Sequence, residues 1–575
     1  MTAYPARLSP SDPNDTRQVR AYRAVVVVTV LAAVVLRFAA LERYPLPLHQ
    51  DELSNIYDGY SIATTGADRS GARWPVLVRG MGPGDYRPSL YAYLAAVTTG
   101  IWGFSTWAGR MPAAITGSLT VLIVFLLARR LLGRGGGLLA LLFATFSPIL
   151  IQYGRQAHEG ASLPAFFAIL TVYLLYRSVP RSGGGGRACR SRNGRQLGLE
   201  FSWICAAGLV AGLSTNAYGA QRLTGPLFVM LGGSLIAWHI GWRQRTPGRA
   251  AAAFALFSSV ACVGALPQLC AMIYHPVEFF ARADNVAYSL HHGLKWWIET
   301  IATAFMDHFD ARMLFFSVGE YEHLTVSRLS LAALPFLYLG IAFGLHRALV
   351  RRETVYVILL AGVAICILPA AASRGYPSII RASGVWALYP VICALGVVGL
   401  GAVVRGCCPA LARSVRPRFA NAVVAGLIAT LGVYNVCQYV VHPQWHDAAG
   451  QNKLVRIGEW LRVHGQGYER IYIDSPGHFP SLYIAAFTGM HPREFQRAGR
   501  ESVITATGWE RFRRFGKFRF DGLARAQADW NASSRDECWL YVNADGETIS
   551  FSPQGVTRDC CELAMGSGKP TVRHP

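Results

Sequence analysis

The sequence predicts an all-α polytopic membrane bundle of about eleven transmembrane helices plus interfacial helices, joined to a small extracytoplasmic α/β domain at its C-terminal end. Three observations carry this expectation. Of 575 residues, 52% are apolar and only 15% charged, whereas charged residues make up roughly a quarter of a soluble globular chain. Eleven mostly uncharged stretches of about 17 to 24 residues are long enough to cross a hydrocarbon core about 30 Å thick. After Val441 the chain becomes less hydrophobic and alternates strand-like pieces with turn signals.

The expected spans lie near 23–41, 112–128, 136–152, 161–176, 200–216, 224–242, 251–274, 329–345, 354–372, 384–404 and 420–441. A twelfth apolar run, Leu90 to Phe104, is short and flanked by Gly-rich and polar sequence, which suits an interfacial or re-entrant helix. If it does not cross, the short loops on one side hold nineteen arginines, among them Arg129, Arg130, Arg347 and Arg405. The other side holds four: Arg155, Arg222, Arg374 and Arg381. The positive-inside rule assigns the crowded side to the cytoplasm. The expected organisation is a cytoplasmic segment 1–22, a transmembrane domain 23–441 with a large first outer loop 42–111, and an extracytoplasmic domain 442–575, placed in a bacterial inner membrane. No cleavable signal peptide is apparent, because the first apolar stretch is a full span without an evident small-residue cleavage site.

The charge balance is +22, with Lys only at Lys295, Lys453, Lys517 and Lys569. A nucleic-acid binder would interleave such charge with aromatics on one face; here Arg clusters alternate with apolar runs, so nucleic acid is not an expected partner. The twelve Cys form no CxxC, and Cys205, Cys262, Cys270, Cys366 and Cys393 sit inside apolar runs as small hydrophobes, which argues against a metal cluster. Cys538, Cys560 and Cys561 would lie in an oxidising compartment with material for one disulfide, although no pairing follows. Strand-like pieces at 470–474 and 539–542 and a turn at Asp545-Gly546 give the tail its α/β character, and the Arg- and Gly-rich run 181–198 reads as a flexible basic linker.

The first outer loop opens with His49-Gln50-Asp51-Glu52. Leu53, Ile56, Tyr57 and Tyr60 then recur at helical spacing until Gly66, so 52–65 is expected as an amphipathic helix on the membrane surface with Asp51 at its N-cap. Asp51 and Glu52 there serve either as a cap favouring the positive end of the helix dipole, or as carboxylates that activate a hydroxyl or amine in front of a lipid-borne substrate. Arg87, just before the short interfacial helix, offers a bidentate donor to a phosphate, the alternative being ordinary lipid headgroups. Arg155, His158 and Glu159 follow the third span, where Arg155 and Glu159 are also spaced to pair with each other. Tyr218 and Arg222, then Arg374 and Arg381, bring further groups to the same face. Each base alone is explained by snorkelling; together they point to one anionic-ligand site. The loop from Tyr274 to Thr325, with His291, His292, Trp296, Trp297 and His308, is a candidate lid or an aromatic belt.

These residues, in this order, resemble a known family. An outer loop bearing Asp51-Glu52, a helix opened by Arg87-Pro88-Ser89-Leu90-Tyr91, the run Phe104 to Pro112 and the run Tyr153 to Glu159 are similar to GT-C glycosyltransferases of the protein O-mannosyltransferase and aminoarabinose transferase type, broadly family 39. The resemblance spans roughly residues 23 to 400, with its motifs in the first 225. It implies transfer of a sugar from a polyprenyl phosphate to a protein, glycan or lipid acceptor at the outer face, with inversion. It further implies Asp51 as base or acceptor-orienting carboxylate with Glu52 beside it, Glu159 as a second acid, and Arg222 and Arg381 on the lipid phosphate, with Arg87, Arg155, His158, Tyr218 and Arg374 nearby. Pro88-Ser89-Leu90 departs from the family's Pro-Pro-Leu-like helix start. No DxD pair occurs in the outer loops, which implies a reaction without a metal or other cofactor. A polytopic transporter would instead place its ionisable residues near the bilayer midplane and show an internal repeat. A noncatalytic envelope scaffold or polymer ligase would share the architecture.

Overall fold

The computed structural model describes residues 13–45, 48–179, 195–242, 245–288, 293–317, 327–375, 377–407, 417–441, 449–474, 479–505, 510–534, 536–543 and 547–560. Most of the linker 181–198, His291 and His292, the 545–546 turn and Cys561 lie outside the described residues. The N-terminal part is helical: α1 (Pro13–Phe38), α2 (Gln50–Thr65), α3 (Leu90–Trp102), α4 (Thr106–Thr145), α5 (Pro148–Tyr153), α6 (Ser162–Ser178), α7 (Arg195–Ser214), α8 (Gln221–Ile236), α9 (Pro247–Tyr274), α10 (Pro276–Val286), α11 (Leu294–Asp307), α12 (Leu334–Leu345), α13 (Thr354–Ala371), α14 (Tyr389–Cys407) and α15 (Pro417–Val441). Eight helices among the described residues are long and apolar enough to cross a membrane, and the chain is a multi-pass membrane protein. Each of the eleven expected stretches falls on a helix. The difference in count comes from the shorter apolar helices α6 and α7 and from α4, which holds two spans in one 40-residue element.

The fold-back of α4 is set by glycine. Gly133 adopts φ 80°, ψ −172°, a conformation that a side chain would resist. Past it the two arms lie so close that a Cβ on Gly137 would sit 2.8 Å from the Arg129 Cα. The bundle core is closed by Trp386, Tyr389, Phe228 and Phe257, all nearly inaccessible. The short apolar run becomes α3, whose 13 residues span only about 20 Å at 1.5 Å per residue. Before it, β1 (Leu77–Arg79) and β2 (Tyr86–Pro88) form an antiparallel ribbon that pairs Val78 with Arg87.

The C-terminal part continues with α16 (Ala449–His464), β3 (Arg470–Asp474), α17 (Pro480–Phe487), α18 (Pro492–Arg497), β4 (Arg500–Ile504), β5 (Glu510–Phe515), β6 (Phe518–Arg519), α19 (Leu523–Asn531), β7 (Trp539–Asn543), β8 (Glu547–Ser552) and β9 (Gly555–Cys560). The strands form one sheet in the order β4-β5-β6-β3-β7-β8-β9, with β3 parallel to both β6 and β7 and the other pairs antiparallel. The period of two in a strand sorts its side chains onto two cores. Ile471 and Ile473 pack with Leu540, Val542 and the apolar faces of α16 and α17. Tyr472 packs on the opposite face with Trp539, Trp530 and Ala526. Cys538 carries a free thiol.

Helix α2 does not lie open on a surface, contrary to the sequence expectation. Its residues Leu53, Ile56 and Tyr57 share one apolar cluster with Leu461, Ile473 and Tyr483 of the C-terminal domain, and ten consecutive or near-consecutive positions from Glu52 to Ile62 are buried. The domain docks here through polar contacts as well. The Tyr483 hydroxyl donates to the Leu48 carbonyl at 2.7 Å. Gln496 Nε2 donates to Ser61 Oγ, Thr65 Oγ1 and the Asp68 carbonyl at 2.8–3.2 Å, and Arg79 pairs with Glu510 at 2.6 Å. Amphipathic spacing reveals one apolar face, but not a second partner covering the polar one.

Glu52 and Arg110 lock the start of α2 to the start of α4. Arg110 Nε and Nη2 meet the two Glu52 oxygens at 3.1 and 3.0 Å, and Arg110 also donates to the carbonyls of Leu41 and Pro45. Glu52 Oε1 accepts from the Ala157 amide at 2.7 Å, and both side chains are 1% exposed. Removing one partner of such a pair strands a buried charge and costs about 3–5 kcal/mol. Arg110→Met is therefore expected to lower the thermal unfolding midpoint of the detergent-solubilised protein sharply. Arg134→Met, at an exposed position beside the α4 kink whose side chain pairs with no acid among the described residues, is not; equal midpoints for the two variants would contradict the lock.

Candidate functional site

The site forms at the end of the bundle where α2, β2, the loop after α5, the start of α8 and α10 meet. Helix α2 is capped by His49, not by Asp51: the His49 ring Nδ1 accepts the Asp51 amide at 3.2 Å. An imidazole thus does the work that the sequence assigned to the aspartate, and the Asp51 carboxylate is left about a third exposed. His158 Nε2 faces Asp51 Oδ2 at 3.7 Å, and His49 Nδ1 stands 3.6 Å from the same oxygen. The other ring nitrogen of His158, Nδ1, accepts the Gly160 amide at 3.0 Å. Burial alone would raise the Asp51 carboxyl, but His49, His158, Arg87 and Arg282 together outweigh it and lower it to about 2.

Behind this pair lies a buried polar cluster. Glu159 Oε2 accepts from Asn55 Nδ2 at 2.7 Å and from Arg87 Nη1 at 3.4 Å, and Asn55 also donates to the Ala157 carbonyl at 2.9 Å. Against burial, His158 and Arg87 hold Glu159 below the ordinary carboxylate range. Arg87 Nη2 donates to Ser54 Oγ at 2.6 Å, while its Nε is buried without a partner among the described residues. Register explains the aim of Arg87: opposite Val78 in the β1–β2 ribbon, it points inward with the buried face.

Arg282 is a cation that the sequence reading missed. It pairs with Asp85, and Asp85, Tyr218, Asp51 and Glu159 together outweigh burial and raise its affinity for the proton. Its signal was present in α10, where Arg282 falls on the polar side of an amphipathic helix led by Phe279 and Phe280, inside the loop expected as a lid. Tyr218 joins the site with its ring 6.3 Å from that of His158. Burial pushes its hydroxyl up, opposed by Arg282 and Arg381. Arg381 donates to Ser373 Oγ at 2.8 Å and to the Arg374 carbonyl at 2.6 Å.

Four expected residues are committed elsewhere. Glu52 is sealed in its pair with Arg110 and does not open beside Asp51. Arg155 donates to the carbonyls of Leu36, Ala39, Ala40 and Tyr44; it closes the unsatisfied end of α1, as carbonyls there require, and its Nε is buried without a partner among the described residues. Arg222 donates to Gln268 Oε1 and the Phe279 carbonyl and lies 4.1 Å over the Phe279 ring, so it fastens α10 to α8 and α9, while its Nη2 is buried without a partner among the described residues. Arg374 donates to the Ala287 carbonyl at 3.1 Å and fixes the far end of α10. His308 is buried with Nδ1 2.7 Å from the Ala304 carbonyl, away from any covering role. Among the described residues no three of His, Cys, Asp and Glu are grouped to hold a metal ion.

Residues 86–184, which contain Arg87, Arg155, His158 and Glu159, match the family described as dolichyl-phosphate-mannose-protein mannosyltransferase. No curated protein matches the chain. Among solved structures, ArnT from Cupriavidus metallidurans in the apo state is similar at 14% identity with a TM-score of 0.51, over 82% of this chain and 85% of that one. The same protein bound to undecaprenyl phosphate gives a TM-score of 0.49 at 14% identity, over 81% and 85%. The Archaeoglobus fulgidus oligosaccharyltransferase in its apo form gives 0.47 at 15% identity, over 81% of this chain and 64% of that one. The likeness read from the first 225 residues, to GT-C glycosyltransferases of the protein O-mannosyltransferase and aminoarabinose transferase type, is thereby shown: in fold over most of the chain, and in sequence over residues 86–184.

Proposed function

We propose that the protein moves a sugar from a polyprenyl phosphate, held among membrane lipids, to a protein, glycan or lipid acceptor at the outer face of a bacterial inner membrane. The observation that carries this reading is the convergence of an ionised, partly open Asp51 with Arg87 and Arg282 in one cluster of charges at the end of the bundle. The family matched over residues 86–184 is named for a sugar on a dolichyl phosphate, which supports a donor of that class. The arginine asymmetry of the short loops supports an outward-facing site and a cytoplasmic N-terminus.

In this reading the acceptor hydroxyl or amine attacks the anomeric carbon from the side opposite the phosphate. The bond from that carbon to the phosphate oxygen breaks, the phosphate leaves with the electron pair, and the acceptor's proton passes to Asp51, with inversion at carbon. Arg87, with its unpartnered Nε, and Arg282 stabilise the charge that grows on the phosphate. Glu159 and Ser54 orient Arg87, Glu52 fixes the helix that carries Asp51, and Arg222, Arg374 and Arg381 hold or flank α10, so these act as positioning residues. A transporter reading gains no support from a charge cluster lying at one end of the bundle.

Asp51→Asn keeps the shape of the side chain but removes the base. It is expected to lower transfer of labelled sugar from polyprenyl phosphate in membranes by about 10²-fold or more, with normal protein yield; transfer at the wild-type rate would remove Asp51 from the mechanism. Arg282→Ala removes a charged hydrogen-bond donor, an interaction of about 1.5–3 kcal/mol, and is expected to raise the donor KM roughly tenfold or more. Asp85→Asn leaves the cation in place and should shift the donor KM far less. An unaltered KM in the Arg282 variant, or equal shifts in both, would make Arg282 a structural residue only.

A further inference from the structure

The C-terminal domain carries a second concave site, a cleft of about 720 Å³ bounded by the end of α16, the α17–α18 turn and the β5–β6 turn. Four basic side chains line it, Arg462, Arg493, Arg497 and Lys517, against one acid, Glu494. Lys517 is spent on the carbonyls of Gly465 and Tyr468. Arg462, Arg493 and Arg497 are exposed, and their guanidinium groups meet no acid or acceptor among the described residues. Two other exposed arginines of the domain do find acids: Arg514 lies 3.9 Å from Glu501 and Arg525 lies 3.1 Å from Asp529. Three guanidiniums left without anions around one hollow form a site that is complementary to several phosphates.

The position of the cleft selects the source of those phosphates. Its wall includes Thr488 and Gly489, and the preceding residue Phe487 packs 5.9 Å from Phe104. Phe104 stands two residues before Thr106, where a membrane span begins. At that corner Trp102 and Trp107 meet edge to face at 5.7 Å, while Val97, Ile101 and Trp102 of α3 are exposed, an apolar and indole edge of the kind that sits at the headgroup boundary. The Arg462 side chain lies against Gly489, its Cδ 3.5 Å from where a Cβ would be. The cationic hollow therefore lies next to the residue that packs on the start of a membrane span, close to an exposed apolar and indole edge.

We propose that this cleft binds the phosphodiester headgroups of anionic phospholipids and holds the C-terminal domain against the membrane surface. The inference is independent of the transferase reading. It is tested with the full chain in nanodiscs of phosphatidylcholine, with and without phosphatidylglycerol, by hydrogen exchange over residues 488–498. Phosphatidylglycerol is expected to slow exchange there by roughly tenfold, as several surface cations acting together on an anionic surface imply. Arg462→Gln, Arg493→Gln and Arg497→Gln combined, on exposed positions that leave the fold and its unfolding midpoint intact, should abolish the difference. Equal exchange in the two lipids for the wild-type chain, or a slowing that survives the triple substitution, would overturn the proposal. So would protection by a soluble anionic oligosaccharide in phosphatidylcholine discs without any effect of phosphatidylglycerol, which would assign the cleft to a glycan instead.

Discussion

The site depends on the burial of Glu52 against Arg110. Successive residues of a helix point about 100° apart, so fixing one side chain inward fixes the direction of its neighbour. With Glu52 sealed by two guanidinium hydrogen bonds and the Ala157 amide, Asp51 is turned toward His158 and stays partly exposed. His49 completes the arrangement by capping the helix through its ring, which leaves the Asp51 carboxylate without a backbone donor of its own. Two adjacent acids in the sequence thus have opposite fates, one a tether and the other the exposed member of an ionised cluster.

The same division separates the arginines. A guanidinium taken out of water must be met by acceptors, and this chain meets that requirement in two ways. Arg155 and Arg37 are surrounded by carbonyls at helix ends and turns, where they complete the backbone, each with its Nε buried and unpartnered among the described residues. Arg87 and Arg282 are met by carboxylates instead. An arginine held mainly by carbonyls fastens the backbone; one held by acids can exchange a carboxylate for another anion.

Much of the fold was legible because its signals are local. Hydrophobic length gave the spans, a 15-residue apolar run gave α3, and alternation in 470–474 gave the central strand. What stayed hidden depends on contacts far apart in sequence. The covering of α2 by a domain more than 400 residues away, through Tyr483 and Gln496, leaves no trace in the α2 sequence itself. For the site, Asp51, Arg87, His158, Glu159 and Tyr218 were identified as candidates and do converge. Arg282 was missed because one Arg in an amphipathic helix looks like any solvated polar face. The carbonyl contacts of Arg155 were not legible because an Arg near the end of a span is compatible with both a ligand and a carbonyl cage, and the path of α1 past it is set by tertiary packing.

The charge arrangement also links substrate to base strength in the proposed reaction. Asp51 is held near 2 by four neighbouring groups, and a carboxylate so far below neutral pH is a weak proton acceptor in the empty site. Two of those four, Arg87 and Arg282, are the groups proposed to receive the donor phosphate. A bound phosphate places negative charge next to the same guanidiniums, offsets their pull on Asp51, and raises its proton affinity. In the proposed reaction the donor phosphate would thus make the Asp51 carboxylate more basic. Departure of the phosphate with its extra charge favours proton capture further, so bond breaking and proton transfer reinforce each other through the same two arginines.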